Sequence, residues 1–157
     1  KKVGRMDAKV MPADKQMVLL ASMQAKAFME LYCTIADTQR ENLWHFYRKN
    51  SVLVWNGTPI TGAAVIKDSL QKLPGTKHQI DSLDAQPIIR NLGTKHTALL
   101  VTSTGRIKYG VKKPVHFHQS FVLERNPDKA DDDSAFYILS QTFRYRNPPH
   151  RSQFVRR

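Results

Sequence analysis

From Asp14 to Ala36 apolar residues recur at spacings of three and four: Met17, Leu20, Ala21, Ala27, Phe28, Leu31, Tyr32 and Ile35. That period predicts a long amphipathic helix with one stripe facing a core. Thr38-Gln39-Arg40-Glu41 has the form of a capping box and opens a second helix through Leu43, Trp44 and Tyr47. The period then falls to two. Val52 and Val54 share one face of a strand, Leu53 and Trp55 the other, and Asn56-Gly57 marks a tight hairpin before the pattern resumes at Pro59-Ile60. Ala63 to Leu73 gives a third, short helix with Val65, Ile66, Leu70 and Leu73 on one side, stopped by Pro74-Gly75.

The remainder reads as strands, over Lys77 to Ile89, Thr97 to Tyr109, His116 to Arg125 and Ala135 to Arg146, each bounded by Gly, Pro, Asn or Asp clusters. Long consecutive strands after helices predict an α+β fold, a curved antiparallel sheet packed on the N-terminal helices. Strict alternation places Phe117, Gln119, Phe121 and Leu123 opposite His116, His118, Ser120 and Val122. In the last strand it sets Phe136, Ile138, Ser140, Thr142 and Arg144 against Tyr137, Leu139, Gln141, Phe143 and Tyr145. Both of its faces carry bulky groups, so a second surface is expected to cover the sheet. Trp55, one residue before the turn, either plugs the end of the core or meets a partner.

At 157 residues the chain is long enough for one ordinary core. Its net charge of +12 is concentrated at the ends: residues 1–15 hold +3 and residues 144–157 hold +5. The expected organisation is a basic extension over 1–13, a domain over 14–146 and a basic tail over 147–157, with RNA contact assigned to Arg146, Arg151, Arg156 and Arg157. Cys33 has no second thiol with which to form a disulfide, which suits a reducing compartment. No apolar run approaches the length of a membrane span and the start lacks a signal peptide's apolar segment, so the expectation is a soluble, intracellular protein without membrane contact.

Candidate chemistry is sparse. Asp131-Asp132-Asp133 reads as a solvated turn, because calcium loops need spaced oxygen ligands and a turn glycine. His116 and His118 have a spacing that zinc accepts, but no third or fourth ligand follows, and no metal is expected. Asp81, Asp84 and His118 are conceivable acid or base groups for a pocket in a cupped sheet, yet nothing pairs them. Phosphate loops, nucleophile elbows and dinucleotide fingerprints are missing, and neither an enzyme nor a cofactor is expected.

Five strings in order carry a resemblance: AFMELYCTIAD, FYRKNSVLVWNG, LPGTKHQIDSLDAQP, FHQSFVL from Phe117 and TFRYR from Thr142. Together, over Ala25 to Tyr145, they resemble the nuclear transport factor 2 superfamily, most of all its branch of small mRNA-export subunits, the nuclear-transport-factor-2-related export proteins. FYRKNS and the FRYR ending are also similar to the amino-terminal domain of stress-granule assembly proteins. Where carriers of the GTPase Ran place acidic residues, this chain has Asn56 and the basic loop KYGVKKPVH, which removes charge-assisted pairs. The resemblance implies the cone fold of that superfamily and a non-catalytic subunit. Such a subunit heterodimerises sheet to sheet with a homologous domain of the large export receptor, binds nucleoporins as a heterodimer, and shuttles between nucleus and cytoplasm. It also implies that Arg144 makes a salt bridge to the large subunit, and Thr142, Ser140, Gln119, Phe121 and Trp55 are placed around it. The alternatives are a homodimeric nuclear carrier or Phe-Gly-type peptide-binding module, and an isomerase or dehydratase on the same fold.

Overall fold

In a computed structural model, which describes residues 13–89, 97–129 and 135–146, the first periodic segment forms helix α1, Ala13–Thr38. Its buried face is Ala21, Ala25, Phe28, Met29, Tyr32 and Ala36, while Leu20, Ala27 and Leu31 of the expected stripe are exposed. The stripe is rotated because three alanines let the helix lie close to the sheet while Phe28 and Tyr32 reach into it. The capping box does not form. α1 runs on through Thr38, whose hydroxyl donates to the Thr34 carbonyl at 2.6 Å, and the residues beyond make a 3-10 turn, Arg40–Phe46, without a side-chain cap. Tyr47, expected in a helix, begins strand β1, Tyr47–Trp55.

The hairpin to β2, Thr58–Thr61, closes through Asn56 at φ 48° and Gly57 at φ 90°, the two left-handed residues that such a turn requires. Helix α2, Ala63–Gln71, buries Ile66 and Leu70. The chain then crosses to the far edge of the sheet and returns through β3, Thr76–Ile89; β4, Thr97–Tyr109; β5, Val115–Arg125; and β6, Phe136–Arg146. The strand order is β2-β1-β6-β5-β4-β3. β6 arrives beside β1 in the same direction, so this pair is parallel and the sheet is mixed rather than purely antiparallel.

Register shifts bend the sheet. One falls between Ile80 and Ser82 of β3, opposite Gly105. Another falls on β6, where Leu123 faces Ile138 but Val122 faces Ser140. The extra residue turns the phase of β6, so Phe136, Ile138, Gln141 and Phe143 are all buried, with Tyr145 packed beside them. Phe136, Ile138, Phe143 and Tyr145, which strict alternation spread over two faces, therefore share the helix-facing one, while Tyr137 packs against Arg48 outside this core.

Two polar devices hold α1 to the sheet. Inside, Tyr47 donates to Gln141 Oε1 at 2.5 Å and the Gln141 amide donates to Tyr32 at 3.1 Å; burial pushes both tyrosine hydroxyls up. At the end of α1, Asp37 accepts from the His78 backbone at 2.8 Å and from Thr76 at 2.8 Å, and lies 2.6 Å from His78 Nδ1. Burial raises the pKa of Asp37, but its hydrogen bonds to His78 and Thr76 and the charge of His78 outweigh this and hold it below its ordinary value. Because the folded pKa is the lower one, this stabilisation is present above the unfolded value, about 3.9, and is lost as pH falls through the folded one. Asp37→Asn is expected to be less stable at pH 7 by about 1–3 kcal/mol. Urea melts should show that gap closing below about pH 4; a constant gap would remove Asp37 from the acid limb.

Candidate partner-binding face

Among the described residues, the helices cover one face of the sheet and leave the other open. On β6 the open face carries Ser140, Thr142, Arg144 and Arg146, and on β5 it carries His116, His118, Ser120 and Val122. The register runs the rows across the sheet: Val54 to Thr142 to Ser120 to Thr102, then Val52 to Ser140 to Val122 to Leu100. Val52, Val54, Leu100 and Val122 are only half-buried in the isolated chain. The face is thus a polar centre flanked by aliphatic side chains.

Arg144 is exposed, and its guanidinium reaches over the β1–β2 turn, 3.5 Å from where a Cβ on Gly57 would stand. The turn is itself clamped to β6: the Asn56 N–H donates to the Phe143 carbonyl at 2.8 Å, and the Tyr145 N–H donates to Asn56 Oδ1 at 2.9 Å. Arg144 is therefore held between two fixed strands with its charge outward, and no ion pair links it to a carboxylate among the described residues.

Gln119 and Phe121 do not join Arg144. They are 1% and 0% exposed, on the opposite face, where the Phe121 ring meets Phe28 and Tyr32 edge-on at 5.5 and 5.2 Å. Their strand parity puts them with Phe117 and Leu123, and the phase change in β6 removes them from the side of Thr142 and Arg144. The β5 residues that do neighbour Arg144 and Thr142 are His118, considered in the sequence only as a metal ligand or an acid or base, and Ser120. Their signal was the more polar half of the alternation. Trp55 also turns inward, stacking on Phe143 at 4.3 Å and meeting Tyr145 edge-on at 6.0 Å, so it closes the end of the core.

Asp81, Asp84 and His118 line no common pocket. Asp81 pairs with Arg106 at 3.4 Å, Asp84 faces Thr102 on the strand register, and His118 is exposed on the open face. Inside the cone there is a void of about 30 Å³, lined by Tyr32, Arg40, Trp55, His78, Gln119 and Phe143 among others. Burial, then the neighbouring Asp37 charge, pushes the Cys33 thiol up to about 12. No group of three metal-ligating side chains occurs among the described residues, and no described helix is long and apolar enough to cross a membrane. Asp131-Asp132-Asp133, the basic extension up to residue 12, and Arg151, Arg156 and Arg157 lie outside the described residues; Arg146 is exposed at the end of β6.

Residues 24–145 match the family model of the Nuclear transport factor 2 (NTF2) domain. The chain belongs to this family. Among NTF2 relatives, "NTF2-related export protein 2" of Bos taurus is 28% identical over 123 residues, covering 78% of this chain and 85% of that protein. "Nuclear transport factor 2" of Davidiella tassiana is 33% identical over 122 residues, covering 76% and 90%. The solved Chaetomium thermophilum Mex67 NTF2-like domain complexed with Mtr2 superposes with a TM-score of 0.68 at 15% identity, covering 82% of this chain and 99% of that one. The curved mixed sheet with its long N-terminal helix is thus the NTF2 fold, and the relatives bear names of nuclear transport and export.

Proposed function

We propose that this chain is the non-catalytic small subunit of an mRNA export receptor. It pairs through the open sheet face with the homologous domain of the large subunit, and the heterodimer engages nucleoporins and supports mRNA passage through the nuclear pore. The observation that carries this reading is the uncovered face itself. Arg144 is fixed outward beside Thr142 and Ser140, and half-buried aliphatic side chains flank them, in a chain similar to proteins named for export. Asn56 supports export over a Ran carrier, because its side chain is engaged in clamping the turn and has no charge to offer a basic partner.

Capture of the tagged full chain from nuclear extract, with stoichiometric partners identified by mass spectrometry, tests the reading. One large partner with its own NTF2-like domain, at a one-to-one ratio, is the expected result. Recovery of this chain alone as a homodimer, or with Ran, would overturn it.

A further inference from the structure

The polar interior of the cone ends in one amide that the described residues do not satisfy. Tyr47 donates to Gln141 Oε1 at 2.5 Å, and the Gln141 amide donates to the Tyr32 hydroxyl at 3.1 Å and to Gln119 Oε1 at 3.5 Å. The proton of Tyr32 has the Tyr47 oxygen within reach at 3.2 Å. Each group of this chain of bonds, from β1 to β5, is thereby paired up to Gln119 Oε1. Gln119 Nε2 is not, although the residue is only 1% exposed. Turning both amides over does not help. Gln119 Nε2 would then donate to Gln141 Oε1, and Gln119 Oε1 would stand in the vacated position without a donor. A buried amide atom without a partner carries its desolvation cost uncompensated.

The void beside this amide has the size and polarity of the missing partner. Its volume is about 30 Å³, and Gln119 lines it together with Tyr32, Arg40, Thr76 and His78. A water needs about 10–15 Å³ of such space and about two to four polar neighbours. The far wall is held in place: Thr76 donates to Asp37 at 2.8 Å, His78 Nδ1 lies 2.6 Å from the same carboxylate, and Arg40 donates to Thr76 at 2.9 Å. Organic ligands take pockets of about 300 Å³ or more. An anion satisfies Gln119 in one orientation of its amide only, whereas water both donates and accepts and serves either. We propose that Gln119 anchors an ordered internal water, which bridges β5 to the wall of Arg40, Thr76 and His78 and completes the polar network of the cone. The site is internal, and it stands whatever partner the open face takes.

The test is water-to-amide cross-relaxation in the full chain, isotopically labelled at the glutamine side-chain nitrogens, read beside a high-resolution crystal structure. The expected result is a cross-peak between water and the Gln119 amide protons with the sign of a long-lived bound water, and a water within hydrogen-bond distance of that amide. Gln119→Met should lose the water, and Ser103→Ala should keep it. Ser103 is the control because it faces Gln119 on the β4–β5 register and its hydroxyl is also buried without a partner. A Gln119 amide that donates to Ser103 Oγ, with no water cross-peak, would overturn the proposal. So would an anomalous peak at this position in crystals soaked in bromide, which would assign the site to an anion, or a water that persists in Gln119→Met. If Gln119→Met does not fold, the wild-type chain and Ser103→Ala still decide the matter.

Discussion

Gly105→Ala is expected to abolish cooperative folding, or to lower stability by at least about 3 kcal/mol, on the order of 10 °C in thermal midpoint. Gly105 lies on the buried side of β4 where β3 shifts register, between Ile80 and Ser82. A Cβ there would collide with the backbone carbonyl of Gln79 and stand 3.1 Å from the Phe117 ring. Backbone cannot swing aside as a side-chain tip can, because the β3–β4 ladder runs from Thr76 to Ile89 against Thr97 to Tyr109. The methyl group would have to open the ladder or flatten the bend that lets the sheet wrap around α1. Thr102→Ala, on the open face of the same strand, is the matched control. A Gly105→Ala midpoint within a few degrees of that control would mean the curvature does not depend on this contact.

Arg144→Glu is expected to leave the fold intact and to weaken pairing with the large subunit's NTF2-like domain at least about tenfold; Arg144→Ala should cost about 2–5 kcal/mol of binding if a buried carboxylate is its partner. The side chain is exposed, so the isolated chain loses little when it is changed. The clamp of Asn56 on Phe143 and Tyr145 fixes the strand and the turn on either side of it, so only the Arg144 side chain itself has to be ordered on binding. Titration calorimetry of the two purified domains measures the effect, and equal affinity of wild type and Arg144→Glu would refute the assignment. The buried face gives the contrast. Phe121→Ala should cost about 3–5 kcal/mol of folding stability, and any loss of pairing should track unfolding rather than precede it.

Sequence reading located the elements because each follows a local rule. The Asn56-Gly57 turn, the Pro74-Gly75 stop and the four long strands were legible within a residue or two, since turn chemistry and β-propensity act over short windows. The capping box failed because α1 continued through Thr38, and helix ends are decided by where packing ceases rather than by a four-residue string. The candidate site was legible in part. Arg144, Thr142 and Ser140 do share the open face, but strict alternation could not see the extra residue in β6, and Gln119, Phe121 and Trp55 were drawn toward a face they do not occupy.

By itself, the sequence determined the element order, the α+β class, the family and the basic character of the β4–β5 loop, because composition and period are properties of the chain taken locally. Tertiary structure alone decided that β6 lies parallel to β1 and that His118 and Ser120 neighbour Arg144 and Thr142. It also brought Lys77 of one strand opposite Lys108 of the next. Those facts depend on register and bulges, which are set where strands distant in the chain meet, and a one-residue shift there moves every later side chain to the other face.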